Sequence, residues 1–183
     1  MLTKPLGTGI ISTALEHGVA PDGAQAAAVA SMLRLNGAAA QVMAQAAGVH
    51  AATDVTGFGL LGHLHLLAKA SELAARVTAA AVPLPGAEEL ADAGEVPGGT
   101  GSNERFLRPW VHWSSSVAAA RRRVLADAQT SGGLLIAVSR GDARHLEGSL
   151  RAEGVDAAII GGCLQAAEEP GQLLLFGGRQ HLE

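Results

Sequence analysis

The chain has 183 residues, of which 48% are hydrophobic and 16% charged, with a formal net charge of −4. This composition excludes general disorder and predicts one domain with a substantial core. The negative charge gives no electrostatic reason to bind nucleic acid or an anionic membrane, and 3% aromatic content argues against a base-stacking platform. No apolar run approaches the roughly 20 residues that span a bilayer, and no signal peptide is recognisable, so we expect a cytoplasmic protein.

The first half of the chain predicts alternating helices and strands. Residues 1–12 form an opening punctuated by glycine and proline, in which Lys4 is expected to be a solvated surface residue rather than a phosphate ligand. The predicted elements that follow are an alanine-rich helix at 24–47 with Gly37 as its weak point, a strand at 49–55, a helix at 60–73, a strand at 76–82 and a short helix at 87–93.

The second half begins with an aperiodic segment at 94–108, which predicts a long loop. Such loops are often functional, although a tolerated surface loop is the alternative. The TSGG turn at 130–133 can present amides and hydroxyls to an anion or simply start a strand, and the arginines at 121–123 predict a solvated face. The remaining predicted elements are a helix at 114–127, a buried strand at 134–138, a helix capped by Asp142 and ending at 153, a strand at 155–160 and a final hairpin arm at 173–176.

The most informative segment, ATDVTGFGLLGH at residues 52–63, is predicted to join a strand to a helix. Its turn carries Asp54, Thr56, Gly57 and Gly59. Glycine lets the backbone approach a ligand closely, and amides at the N-terminus of a helix attract anions. A magnesium ion is commonly held by one or two carboxylates together with substrate phosphates. We therefore predict that Asp54 supplies one oxygen ligand to a metal beside a phosphate.

Two other interpretations of this turn remain open. Asp54 can accept hydrogen bonds from the turn amides while Thr56 caps the helix. Alternatively, GFGLLG at residues 57–62 matches the G-x-G-x-x-G of dinucleotide-binding domains. That motif needs an acidic residue about twenty residues later, at the end of the next strand, and the strand predicted at 76–82 ends in AAAV. The dinucleotide interpretation is therefore disfavoured.

The other candidate ligands give weaker signals. His63 and His65 are two residues apart on one predicted helix and point to different sides, so they cannot share a metal. His50 and Asp54 lie on one face of a strand, but about 13 Å apart, so a histidine-based zinc site is not supported. The single cysteine, Cys163, ends an apolar strand without a basic neighbour in sequence, which favours a buried structural thiol.

Five motifs cover most of the chain. They are LTKPLGTG at 2–9, RLN at 34–36, HAATDVTGFGLLGH at 50–63, VPGGT at 96–100 and QTSGGLL at 129–135. Their content and order resemble the C-terminal half of selenophosphate synthetase, also called selenide, water dikinase. That family belongs to the aminoimidazole ribonucleotide synthetase-like superfamily.

The resemblance implies a layered α+β sandwich with a mixed, largely antiparallel sheet, formed as one domain by residues 1–183. It also implies a partner, the N-terminal ATP-binding domain, which carries the family's catalytic cysteine or selenocysteine and its neighbouring lysine. Nothing in this chain matches that segment, and Cys163 does not take its place. The chain is therefore expected to hold no catalytic residue and to be inactive alone. It is expected to be a monomer, because the N-terminal domains of the family provide the main dimer contacts.

The resemblance also implies a chemistry for the complete enzyme, in which ATP and selenide give selenophosphate, AMP and orthophosphate with magnesium. Asp54 matches an aspartate that joins carboxylates of the N-terminal domain around Mg²⁺ near the ATP phosphates. We expect Thr53, Thr56, Gly57 and Gly59 to contact the nucleotide beside it.

The sequence departs from the family pattern at 126–128, where ADA replaces the usual cysteine, aspartate and proline, so the turn before Gln129 is expected to be looser. Two alternative functions remain. One is a free-standing module that binds a phosphorylated ligand, and the other is a related enzyme such as thiamine-monophosphate kinase or a hydrogenase-maturation protein. The motifs at 2–9 and 129–135 favour the selenium enzyme.

Overall fold

The computed structural model describes residues 1–82, 86–165 and 169–177. Within these ranges the helices are α1 Thr8–Glu16, α2 Ala24–Leu33, α3 Gly37–Gln45, α4 Gly59–Ala70, α5 Ala87–Asp92, α6 Gly98–Leu107, α7 Ala119–Ala126 and α8 Ala143–Ala152. The strands are β1 Val49–Asp54, β2 Leu73–Thr78, β3 Val111–Trp113, β4 Leu134–Val138, β5 Gly161–Gln165 and β6 Leu173–Phe176. None of the helices in these ranges is long and apolar enough to cross a membrane.

The described strands form two sheets. Strands β1 and β4 make an antiparallel ribbon in which Asp54 lies opposite Leu134. The second sheet has the order β3-β6-β2-β5, with β2 antiparallel to β5 and parallel to β6, and β3 parallel to β6. The predicted α+β class with a mixed sheet is confirmed. The predicted hairpin arm at 173–176 is wrong, because β6 lies between β3 and β2 and runs parallel to both, whereas a hairpin needs antiparallel neighbours.

Helix α4 is fixed to the core along one face. Leu60, Leu61, Leu64 and Ala68 are buried, at the spacing that places side chains on one side of a helix. A second apolar cluster packs α8 and α3 against β4, and its members include Ala39, Ile136, Leu146 and Leu150. The turn before α4 is therefore held between a buried helix and a ribbon whose β4 strand packs into that second cluster.

The long helix predicted at 24–47 is wrong, because the chain forms α2 and α3 with a break at residues 34–36. Arg34 adopts an extended conformation after α2. Asn36 immediately precedes α3, and its side-chain amide donates to the carbonyl of Gly132 at 2.9 Å. This contact joins residues 96 positions apart, so no local pattern predicts it.

Residues 94–108 are not a loop throughout, because α6 occupies most of the segment. Pro97 precedes the helix in an extended conformation, and Thr100, Asn103 and Leu107 are buried at helical spacing. The glycines at 98, 99 and 101 hide this amphipathic pattern, since glycine is a poor helix former. Helix α1 was likewise missed within the glycine-punctuated opening, although Ile10, Ile11 and Ala14 are buried on one of its faces.

Several predicted boundaries also shift. The helix predicted at 60–73 ends at Ala70 because Glu72 adopts a positive φ of 55°. Strand β2 consequently begins at Leu73 rather than 76. The strand predicted at 155–160 is displaced to β5, and Ala158 makes only an isolated bridge with Leu2. The helix predicted at 114–127 begins at Ala119.

The three arginines of α7 connect the helix to its neighbours instead of forming a solvated face. Arg121 pairs with Glu88 of α5, and Arg123 donates to the carbonyl of Ala91 at 2.8 Å. The guanidinium of Arg122 lies over the tryptophan ring of β3, 5.2 Å from its centroid. All three side chains are partly buried.

Cys163 is exposed on β5, so the predicted burial of this thiol is wrong. Strand β5 pairs on one side with β2, and no second strand flanks it within the described residues. Because the side chain is accessible, we expect Ellman's reagent to titrate one thiol per chain in native buffer. A thiol that reacts only after a denaturant is added would contradict this arrangement.

Candidate functional site at the β1–α4 turn

Asp54 is the last residue of β1, and its carboxylate is exposed. The following backbone is anchored, because the amide of Val55 donates to the carbonyl of Gly133 at 2.8 Å. Within the described ranges the Asp54 carboxylate has no hydrogen bond or ion pair, so it does not accept from the turn amides. The side chain projects from a rigid ribbon end with both oxygens available to a ligand.

Thr56 does not cap α4. Its backbone amide donates to Nε2 of His63 at 3.1 Å, and its hydroxyl lies 3.2 Å from the same nitrogen. Since Nε2 accepts from the amide, the neutral imidazole carries its proton on Nδ1. Burial lowers the pKa of His63, while the nearby Asp54 carboxylate opposes this shift. The contact between Thr56 and His63 therefore ties the loop that follows Asp54 to α4.

The other predicted nucleotide contacts lie in the same turn. The hydroxyl of Thr53 donates to the carbonyl of Asp54 at 3.1 Å. Gly57 is exposed, and its carbonyl accepts from the side-chain amide of Asn103 at 2.9 Å. Gly59 has a φ of +66°, and a Cβ there would lie 2.6 Å from the carbonyl oxygen of Ala126. The turn thus requires glycine at 59 both for its conformation and for close packing.

A second turn, at residues 130–133, lies against the first. A Cβ on Gly132 would overlap the carbonyl oxygen of Val55, so only glycine lets the two backbones approach this closely. Lys4 is buried, contrary to the expected solvated residue, and its Nζ donates to the carbonyl of Ser131 at 2.8 Å. Burial, followed by the nearby Arg34 guanidinium, lowers the pKa of Lys4. Lys4 therefore supports the second turn from beneath.

Replacing Gly132 by alanine is expected to lower the free energy of unfolding by about 1–3 kcal/mol, because the added methyl overpacks the contact between the two turns. The matched control is Gly148→Ala in α8, where a Cβ meets nothing within 4 Å. We expect this control to stabilise the helix by about 0.5–1 kcal/mol. Urea unfolding of both variants measures the difference, and equal shifts would contradict the close approach.

A buried polar junction joins the second turn to α1 and α6. Oδ2 of Asp127 accepts from the amides of Gly9 and Ile10 at 3.0 and 3.3 Å and from Nε2 of Gln129 at 3.0 Å. Its Oδ1 accepts from the hydroxyl of Thr100 at 2.7 Å. Asp127 is fully buried. The expected loose turn before Gln129 is therefore wrong, because this carboxylate fixes it at the N-terminus of α1.

Gln129 and Asn103 extend the junction to the β1–α4 turn. The side-chain oxygen of Gln129 accepts from the amide of Gly7 at 3.1 Å and from the hydroxyl of Thr8 at 3.2 Å. The backbone amide of Gln129 donates to the carbonyl of Thr56 at 3.0 Å. Asn103 donates to the carbonyl of Ala126 at 2.9 Å in addition to its contact at Gly57. Neither residue was given a role from the sequence, and the helical spacing of Thr100 and Asn103 was the available signal for Asn103.

Asp54 fits the chemistry of a magnesium ligand, but one carboxylate does not make a site. The described residues contain no group of three or more histidine, cysteine, aspartate or glutamate side chains that could hold a metal. A cavity of about 380 Å³, lined by Arg151 and residues 154–158, includes none of the predicted site residues. The candidate site is therefore an exposed turn that needs ligands from elsewhere.

Sequence comparison places the chain among known proteins. Residues 1–168 match the family described as AIR synthase related protein, C-terminal domain. The selenide, water dikinase of Pelobacter propionicus is 44% identical over 171 residues, which is 93% of this chain and 48% of the relative. The enzyme of the same name from Escherichia coli K12 is 41% identical over 161 residues, 87% of this chain and 45% of the relative. The chain thus spans about half the length of these curated relatives.

Solved structures share the fold at low sequence identity. Thiamine-monophosphate kinase from Stenotrophomonas maltophilia aligns over 96% of this chain and 49% of its own length, with a TM-score of 0.63 and 18% identity. The E. coli hydrogenase maturation protein HypE aligns over 99% and 47%, with a TM-score of 0.63 and 20% identity. The resemblance drawn from the five motifs is confirmed by the named relatives. The chain belongs to the family of AIR synthase related protein C-terminal domains.

Proposed function

We propose that the chain is the C-terminal half of a selenide, water dikinase, which makes selenophosphate from selenide and ATP, and that it contributes one magnesium ligand, Asp54. Its 41–44% identity to proteins of that name, over most of its length, supports the assignment. The observation that carries the proposal is the exposed Asp54 carboxylate, fixed at a ribbon end without a partner among the described residues.

The residues around Asp54 would prepare one side of a phosphate site. Asp54 would hold the metal with its carboxylate, while the hydrogen bond from Thr56 to His63 holds the turn that follows. Thr53, Thr56, Gly57 and Gly59 would line the nucleotide phosphates. When bound, Mg²⁺ would neutralise charge on the phosphoryl groups. Asp54 offers one ligand, so the other half must supply the remaining protein ligands.

The proposed function is tested by selenide-dependent AMP formation from magnesium and ATP. The chain is assayed alone and mixed with the separately purified other half of the Pelobacter propionicus relative. We expect AMP in the mixture and none from the chain alone. A mixture that binds a phosphorylated ligand but forms no AMP would favour a binding module instead. Cytoplasmic location and a monomeric state remain predictions within this proposal.

A further inference from the structure

Helix α2 is apolar but mostly exposed. Its sequence, AQAAAVASML, contains no charged residue, and Ala28 is its one buried residue. The exposed fractions are 41% for Val29, 74% for Leu33 and 85% for Leu35 just after the helix. Val29 and Leu33 are four residues apart and so lie on one face of the helix, and exposed apolar surface of this kind is typical of a site of protein association.

This surface is rigidly held rather than loosely attached. Ser131 donates its hydroxyl to the carbonyl of Met32 at 2.8 Å, and Asn36 donates to Gly132. Arg34 pairs with Asp156 at 2.6 Å. Polar contacts on both sides of Leu35 thus fix the loop that exposes it.

The surface lies beside the candidate site. Its anchors, Ser131 and Gly132, belong to the turn that packs against Val55, next to Asp54. On the α4 side of the same carboxylate, Phe58 is 55% exposed and stacks on Phe106, with ring centroids 6.5 Å apart. Exposed apolar side chains therefore occur on both sides of the site.

The curated relatives contain a further half that this chain does not match, because the chain accounts for only 45–48% of their length. We propose that Val29, Leu33, Leu35, Phe58 and Phe106 form the docking face for the half of selenide, water dikinase that this chain does not cover. Docking there brings that half over Asp54, where its ligands complete the metal site. This inference rests on the proposed function, since it takes the partner from it.

The test measures affinity directly. The other half of the Pelobacter propionicus relative is first shown to be folded by circular dichroism and a cooperative melt, and then titrated with the chain by calorimetry. Leu35→Asp is expected to weaken binding by at least about tenfold, as is typical for loss of an apolar anchor. Leu33→Gln, which keeps helix propensity, should weaken it in the same direction. The matched control is Leu164→Asp. This exposed leucine lies on β5 of the four-stranded sheet, not on the β1–β4 ribbon, and its replacement should leave affinity within about twofold.

Each outcome decides the inference. Hydrogen exchange that slows at residues 29–36 and 56–58 on mixing would support it. No binding by the folded partner, or binding unaffected by Leu35→Asp, would overturn it. Light scattering of the chain alone that shows a dimer broken by Leu35→Asp would assign the face to a second copy instead. Docking without AMP formation would reject the dikinase assignment but retain the docking face, whereas AMP formation insensitive to Leu35→Asp would reject only the docking face.

Discussion

Replacing Asp54 by asparagine is expected to reduce selenide-dependent AMP formation by the two mixed halves at least about 100-fold, because the amide removes the negative charge of the proposed metal ligand. The fold should be unaffected, since the side chain is exposed and forms no hydrogen bond or ion pair within the described ranges. Surface substitutions of this kind change stability by about 0.5 kcal/mol or less, or about 1–2 °C in Tm for this length.

The control for this experiment is Asp92→Asn, which neutralises another exposed carboxylate, at the end of α5. It should leave both AMP formation and Tm unchanged. A magnesium titration separates loss of metal binding from a general loss of activity, because Asp54→Asn should raise the magnesium concentration needed for half-maximal AMP formation. Full activity of Asp54→Asn at the same magnesium concentration would remove Asp54 from the site.

Replacing Asp127 by alanine is expected to lower the free energy of unfolding by about 3–5 kcal/mol, because it strips buried donors of their acceptor. Those donors are the amides of Gly9 and Ile10, the hydroxyl of Thr100 and the amide of Gln129. For a domain of this length the change corresponds to a fall in Tm of about 6–20 °C.

Denaturant unfolding measures this loss, with Asp22→Ala as the control for an exposed aspartate. The control should change the free energy of unfolding by no more than about 0.5 kcal/mol. Equal effects of the two substitutions would mean that the hydrogen bonds of Asp127 add no more to the free energy of unfolding than an exposed aspartate does.

The same carboxylate gives stability a pH dependence. Burial raises the pKa of Asp127 above its usual 3.8, and its hydrogen bonds partly oppose the shift. The folded state therefore holds this proton more tightly than the unfolded state. The resulting stability is fully present below the unfolded pKa and is lost as pH rises through the folded pKa. The advantage of wild type over Asp127→Asn should thus be larger near pH 4 than at pH 7, as measured by urea unfolding at both values.

The sequence predicted what local periodicity and turn chemistry determine. The strand ending at Asp54 and the helix beginning near Gly59 follow from the change of hydrophobic period around a glycine-rich turn. The break before α3 and the burial of Lys4 depend on contacts with Gly132 and Ser131, which are 96 and 127 positions away. Local sequence does not contain such contacts, so these parts were mispredicted.

Some residues of the candidate site and its surroundings could likewise be named from the sequence, and others could not. Asp54 could be named as a candidate ligand because a carboxylate on a glycine-rich turn is suited to hold a metal beside a phosphate, and its metal role stays a prediction. Asp127 and Gln129 could not be named, because a buried polar residue and a surface residue look alike in a single sequence. The nucleotide contacts of Thr53, Thr56, Gly57 and Gly59 remain predictions until a ligand is bound.

The support of α1 by distant residues constrains how the domain is made. Three backbone amides at the start of α1 donate to acceptors that lie 117 to 122 positions later in the chain, and they belong to Gly7, Gly9 and Ile10. During synthesis these amides remain solvated until most of the domain has emerged, and Asp54 likewise lacks the strand it will pair with. Contacts of such long sequence separation form slowly. A nascent chain halted before residue 127 therefore lacks both the acceptors that support α1 and the strand that pairs with β1, so the ribbon end that carries Asp54 is among the last features to form.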